Sequence, residues 1–286
     1  MNKNNDEERQ ITVIWRRLKR NRLAVVGLIT ILLIILIAIF GSIIAPYDPM
    51  KLNFRSINEG ISTSHLLGTD QVGRDIFSRI LHGARFTLLI AFSAVLIGLF
   101  IGSLIGMIGG YYGGKVDLLV VFLTDILLAF PGLLLAIAIV AAIGAGMTGV
   151  ILASGFSSIP QFIRITRGVV LLEKEKDYVM AAHGIGESNV AIMWRYILPN
   201  CIPPIVIITT LRMAVVILIT AGLSFLGLGV PPPLPEWGAM LSDGRGYLVT
   251  APHLTIFPGL AIMILVLAFN LFGDGLRDAL DPRMKL

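Results

Sequence analysis

The chain has 286 residues, 56% of them hydrophobic and only 14% charged, with a mean hydropathy of +0.85, a balance that excludes an ordinary soluble domain and points to a bilayer. Cys201 is the single cysteine, which excludes a disulfide scaffold within the chain. A net charge of +5 would suit nucleic acid, but no basic stripe with interleaved aromatics lies outside the apolar runs, and membrane topology explains the charge instead.

A membrane-spanning helix needs about 20 mainly apolar residues, since each adds about 1.5 Å against a hydrocarbon core of about 30 Å. Residues 1–22 are polar and basic, and the first apolar run, 23–45, follows them. That run is too long for a signal peptide, and Pro46 follows Ala45 where cleavage would fall, so it is expected to remain as a helix. Residues 46–85 read as an extracellular segment. The second run, 86–108, carries Gly98, Gly102 and Gly106, with Gly110 just beyond. A spacing of four puts these glycines on one helix face, for tight helix packing or for a sliding surface in gating.

The third run, 116–143, contains Asp125 and also Pro131, which is expected to kink it near its middle. The fourth, 148–170, holds Ser154, Ser157, Ser158, Pro160 and Gln161, polarity that suits a helix facing protein or a water-filled path. A loop at 171–199 leads to the fifth run, 203–228, with Cys201 as a small packing residue at its mouth and Arg212 inside it. A long segment, 229–253, precedes the sixth run, 254–272, and residues 276–286 form a tail. The predicted fold is all-α integral membrane, with six transmembrane helices and the last five in one domain over residues 86–275.

Lysine and arginine give the orientation. Lys3, Arg9, Arg16, Arg17, Lys19, Arg20 and Arg22 precede the first run, Arg164, Arg167, Lys174, Lys176 and Arg195 flank or occupy the 171–199 loop, and Arg277, Arg283 and Lys285 follow the last run. On the opposite side Lys51, Arg55, Arg74, Arg79 and Arg85 are offset by Asp48, Glu59, Asp70 and Asp75. Retained positive charge marks the cytoplasm, so both termini and the 171–199 loop are predicted to be cytoplasmic. Asp274, Asp278 and Asp281, with Arg277 and Arg283, are expected to end the last helix.

An unpaired charge within a span costs about 3 kcal/mol, so Asp125 and Arg212 should face protein or water. Three readings stand for them: a structural ion pair, a contact to the charged ends of a peptide, and snorkelling at the lipid edge. His65, His82 and His253 read as outside and His183 as inside, so no metal-ligand set forms along the membrane path. Neither a catalytic triad nor a carboxylate pair is evident, and no catalytic, metal or cofactor-binding residue is expected. The string GGYYGGK, ending at Lys115, resembles a phosphate loop, but Val116 replaces the Ser or Thr that holds magnesium and no strand precedes it. A tight turn between two membrane helices fits it better, and nucleotide would have to bind another chain.

The loop sequence DYVMAAHGIGESNVAIMWRYILPN begins at Asp177. Small Ala181 and Ala182 suit a closely docked short helix over 178–184, Gly186 permits a sharp break, and Ser188 can cap a second short helix. The segment resembles the EAA motif of ATP-binding-cassette importer permeases, which has an acidic residue and two alanines, then a glycine, then an Ile-x-Leu-Pro ending. Ala181, Ala182, Gly186, Leu198 and Pro199 fill those places, whereas Met180 stands where the acid usually is and Tyr196 where the motif has Ile. Further strings cover most of the chain: RRLKRNRLAVVG, APYDP, HLLGTDQVGRDIFSR from His65, LSFLGLG from Leu223, EWGAML from Glu236 and AFNLFGDGLRDALDPR from Ala268. With these the chain resembles the C-type permease of bacterial dipeptide, oligopeptide and nickel importers.

The resemblance implies a type I importer fold in the cytoplasmic membrane. It also implies partners: a homologous B-type permease, two ATPase subunits and an external substrate-binding protein. In that family the EAA loop forms a coupling helix seated in a groove on the ATPase. The implied cargo is a dipeptide or oligopeptide, with glutathione, nickel or a metal chelate as alternatives that this subunit does not distinguish. A stand-alone ion-coupled transporter is a distant alternative, because it needs an intramembrane ion site and Asp125 is nearly the only acid available.

Overall fold

The computed structural model describes residues 3–280, and side chains from Thr12 onward. The expected positions of Lys3 and Arg9 side chains, and of Asp281, Arg283 and Lys285, lie outside the described part. Apart from one isolated antiparallel bridge between Thr69 and Asp75, the regular structure among the described residues is helical. In chain order the helices are α1 (Lys3–Arg20), α2 (Arg22–Ile44), α3 (Ile76–Tyr112), α4 (Gly114–Leu128), α5 (Gly132–Ile143), α6 (Met147–Glu173), α7 (Asp177–Gly184), α8 (Asn189–Ile192), α9 (Leu198–Phe225), α10 (Trp237–Gly244) and α11 (His253–Leu280).

Among the described residues four helical runs are long and apolar enough to cross a membrane: α2, α3, the stretch Asn189–Phe225 and α11. The third predicted run is not one kinked helix. It breaks at residues 129–131 into α4 and α5, bent by 92° from each other. Pro131 explains the break, since it donates no N–H and its ring crowds the carbonyl four residues earlier; α5 starts immediately after it. The fourth run is α6, 27 residues long and largely enclosed by protein: Ser154, Ser157 and Ser158 are buried, and the hydroxyls of the last two donate to the Ser154 carbonyl, both at 2.9 Å.

Two predicted boundaries move. α3 begins at Ile76 rather than at residue 86, because Asp75 caps it, accepting from the Ser78 N–H at 2.8 Å. At 37 residues it is about 55 Å long, so it extends well beyond the thickness of a hydrocarbon core. At the other end of the chain, Asp274, Arg277 and Asp278 lie within α11, which runs through Leu280, and so do not terminate it.

The chain packs in two tiers. The large core joins α2, α3, α9, α10 and α11, around Ile31, Val95, Met213, Ile217 and Leu265. At the far end of the bundle a second core joins α3, α6, α7, α8 and α9. Leu18 of α1 packs with Ala24 and Ala279, placing the first helix beside the last turns of α11. Between α3 and α4 the chain reverses at Gly113 and Gly114, both with positive φ (65° and 53°), the backbone that glycine adopts without strain.

Candidate functional site

The 171–199 loop folds into a compact unit. α7 spans eight residues and ends at Gly184 with Ile185 as its cap, after which Gly186 turns the chain at φ +82°. Ser188 then caps α8, its hydroxyl accepting from the Ala191 N–H at 3.3 Å. A π-helical turn, Met193–Ile197, joins α8 to α9. The wider turn lies directly before Pro199, which has no N–H to continue an α-helical ladder.

One side of this unit is rooted in the bundle. Val179 and Ala182 of α7, with Ile192, Met193 and Ile197, pack against Met107 of α3, Val170 of α6 and Cys201 and Ile205 of α9. Ala182 is buried in that contact while Ala181 is exposed, so the two alanines face opposite ways. Polar bonds tighten the same joint. The Tyr111 hydroxyl donates to Asn189 Oδ1 at 2.9 Å and meets His183 Nε2 at 3.3 Å, and Lys174 Nζ donates to the Gly110 carbonyl at 2.9 Å. The Tyr178 hydroxyl donates to Glu173; burial, then that bond, push its pKa up to about 12. The other side is bare: Met180, Ile185, Val190 and Trp194 expose apolar surface, Ile185 at 77% and Trp194 at 55%. Leu198 is half-buried, and Pro199 is exposed.

The glycine stripe leads into this joint. A Cβ on Gly98 would come within 2.9 Å of Ser158 Cβ, and one on Gly102 within 2.6 Å of both the Ile159 carbonyl oxygen and Phe162 Cβ. On Gly106 it would meet the Ile163 oxygen at 2.6 Å, and on Gly110 Val170 at 3.0 Å. All four glycines therefore face α6, letting the two backbones touch along about three turns. The last contact, at Val170, is also part of the α7 core.

The structure does not bring Asp125 and Arg212 together. Asp125 stands 3.9 Å from Arg164 of α6, and its α4 neighbour Asp117 pairs with Arg167, whose Nη2 donates to Asp117 Oδ2 at 2.7 Å. The break at Pro131 is the reason: α4 packs on α3 and α6, while α5 is the half that reaches α9, where Arg212 sits.

Residues 98–286 match the family described as binding-protein-dependent transport system inner membrane component, and residues 10–60 match the N-terminal TM domain of oligopeptide transport permease C. Over 272 residues the chain is 47% identical to the glutathione transport system permease protein GsiD of Pectobacterium atrosepticum and 48% identical to that of Escherichia coli O6:K15:H31, covering 95% of this chain and 90% of each relative. The chain belongs to this permease family. A chain of the MetNI methionine ABC transporter, in inward-facing conformations, shares the fold with a TM-score of 0.56 at 19% identity, over 71% of this chain and 97% of that one. The permease is thus a multi-pass, non-catalytic inner-membrane component of an ABC importer, a system completed by ATPase and substrate-binding partners.

At the opposite end from α7 the permease has a feature that sequence reasoning treated only as a resemblance. The HLLGTDQVGRDIFSR segment folds into a buried ionic clasp. His65 Nδ1 lies 2.9 Å from Asp75; Arg74 Nε donates to Asp70 at 2.6 Å and its Nη2 stands 3.6 Å from Asp243 of α10. Arg79, almost wholly buried, donates to the Pro49 carbonyl at 3.0 Å. Glu236 caps α10 with both oxygens, accepting from Gly238 N–H at 2.9 Å and Ala239 N–H at 2.8 Å; burial raises its pKa despite those bonds. The Trp237 indole donates to the Ile80 carbonyl at 3.0 Å. Residues 46–75, α3, α10 and α11 are locked together here, with His253 Nε2 3.2 Å from the Thr69 carbonyl oxygen.

Proposed function

We propose that this permease carries small peptides inward, glutathione among them, and that α7 is the handle by which a separate ATPase drives it. The observation that carries the reading is the two-sidedness of the α7–α8 unit: apolar surface bared by Met180, Ile185, Val190 and Trp194, backed by a core shared with three bundle helices. A bare apolar patch rooted in a rigid core suits a protein partner. The basic residues around it, Arg167, Lys174, Lys176 and Arg195, argue for the cytoplasmic face, and both termini belong on that side by the same rule.

In this reading Ala181 and Ala182 allow close docking, Gly186 sets the turn, and Leu198 and Pro199 start the helix that receives the motion. The permease pairs with a homologous B-type permease beneath an external binding protein, over two ATPase subunits. Nucleotide-driven closure of the ATPases pulls α7, and the shared core passes that pull to α3, α6 and α9, opening the path outward; hydrolysis resets it. Peptide cargo is supported by the family matched at residues 10–60 and by relatives named for glutathione transport.

The test is co-purification and uptake with Ile185→Asp and Trp194→Asp. Both side chains are exposed, so folding should be unchanged, while loss of a docking anchor is worth about 2 kcal/mol or more, roughly thirtyfold in affinity for the ATPase. Normal ATPase capture and normal uptake in both variants would overturn the assignment.

A further inference from the structure

Arg212 is a charge deep in a span that no described residue of its own chain answers. It lies 14 residues from Leu198 and 13 from Phe225, the ends of α9, so about 20 Å of helix separates it from either end, farther than a side chain reaches by snorkelling. At such depth an uncompensated guanidinium is expensive to keep, so it should face protein, water or a ligand. Among the described residues no ion pair or hydrogen bond reaches it, and the two acids of α4 are already committed, Asp125 to Arg164 and Asp117 to Arg167.

Its surroundings follow from the helix period. Arg212 shares a strip of α9 with Cys201 and Ile205 on one side and Ile219 and Leu223 on the other, at offsets of 7 and 11 residues. The first pair is covered by the α7 core, and the second by α5, where Ile219 meets Gly132 and Leu223 packs with Ala136 and Val140. α5 stops at Gly132, where the span breaks, so the strip is left open at Arg212, about 10 Å short of Ile219. Arg212 is half-buried there. Asp125 and Arg164 are exposed at this break, their side chains 60% and 70% accessible, and charges so exposed within the spans fit a water-filled path rather than lipid.

We propose that Arg212 receives the carboxylate of the peptide in transit. A guanidinium offers a carboxylate two parallel donors, and a single permanent charge at a broken span, halfway across, suits an anionic group that arrives and leaves. Every peptide with a free C-terminus carries that group. The assignment rests on the peptide reading above, and it names the residue that meets the cargo.

The test uses the complete importer, with its ATPases and binding protein, in proteoliposomes, comparing a free-acid peptide with the same peptide as its C-terminal amide. Delivery is normalised to the affinity of the binding protein for each. Arg212→Gln should lower uptake of the free acid tenfold or more and leave the amide unchanged; Arg212→Lys, which keeps the charge but not the paired donors, should fall between. Removing an unanswered charge should leave assembly intact, as read by size-exclusion chromatography. Equal losses for acid and amide, or disrupted assembly, would assign Arg212 a structural role or a pairing with another subunit, and overturn the proposal. No change for either peptide would overturn it as well. If the unmodified importer carried neither peptide, the peptide reading itself would fall, a result distinct from any pattern among the Arg212 variants.

Discussion

Gly102→Ala adds a single methyl group, and the structure says where it goes. Its Cβ would stand 2.6 Å from the Ile159 carbonyl oxygen and 2.6 Å from Phe162 Cβ, about 0.8 Å inside the ordinary contact limit of 3.4 Å. One of those contacts is backbone, so no side-chain rotation relieves both, and α3 must lift from α6. Overpacking of this kind costs about 1–3 kcal/mol, or roughly a five- to 150-fold shift in a folding equilibrium. The control is Gly168→Ala on α6, where nothing lies within 4 Å of the added carbon; there alanine should be neutral or favourable, through its higher helix propensity. Thermal unfolding of the two purified variants in one detergent, with uptake measured alongside, makes the comparison. Equal melting temperatures would refute the contact reasoning. A Gly102→Ala protein with wild-type stability but blocked transport would show that the stripe slides rather than packs.

Gly186→Val introduces no clash, because nothing lies within 4 Å, but it forces a β-branched residue to φ +82°, a strain of about 1–2 kcal/mol confined to the α7 turn. Cargo moved per ATP hydrolysed should fall with little change in melting temperature, and Gly186→Asn should recover most of it; unaffected uptake and assembly would count against the coupling role. Glu236→Ala strips two buried N–H groups of their acceptors and should cost about 2–4 kcal/mol in thermal unfolding. The pH response of Glu236 has a definite sign. With its folded pKa raised above the unfolded value, the folded state binds the extra proton, so its contribution is fullest in acid and declines as pH rises through the window between the two. Glu236→Gln should flatten that part of a melting-temperature profile, and an unchanged profile would remove Glu236 as its source.

The spans were legible because apolar length is a coarse signal that survives errors of several residues, and the glycine stripe because a spacing of four has one meaning on a helix. Direction was not legible. Hydropathy counts apolar residues whichever way the chain runs, so 116–143 reads as one span with Pro131 near its middle, although its halves meet at 92°. The bend also separates Asp125 from Arg212, whose ion pair stands as one of three readings of those charges in the sequence. Arg164 reads with the loop charges in sequence, yet it lies in α6 beside Asp125, while Arg212 lies on α9, the helix that the other half of the broken span packs against. The clasp was hidden for another reason. Arg74 and Asp243 are 169 positions apart, and nothing in either neighbourhood marks the partner.

The clasp, the glycine contact and the α7 core share helices, and that sharing decides how force can travel. α3 is in all three: Arg79 sits in the clasp near its start, Gly98 to Gly110 lie against α6 along its length, and Met107 packs in the α7 core. Each joint is made of backbone contact, buried ion pairs or close side-chain packing, interactions that switch between arrangements rather than stretch. A pull on α7 therefore reaches the far end of the bundle through α3 with no loop in its way. The broken span stands apart from that line: α4 and α5 meet at residues 129–131 through exposed Ala129 and Phe130, with no side chain capping the start of α5. The rigid line and the break meet the same helix, α9, on either side of Arg212, so if α7 is where force enters, that motion should change the opening in which Arg212 lies.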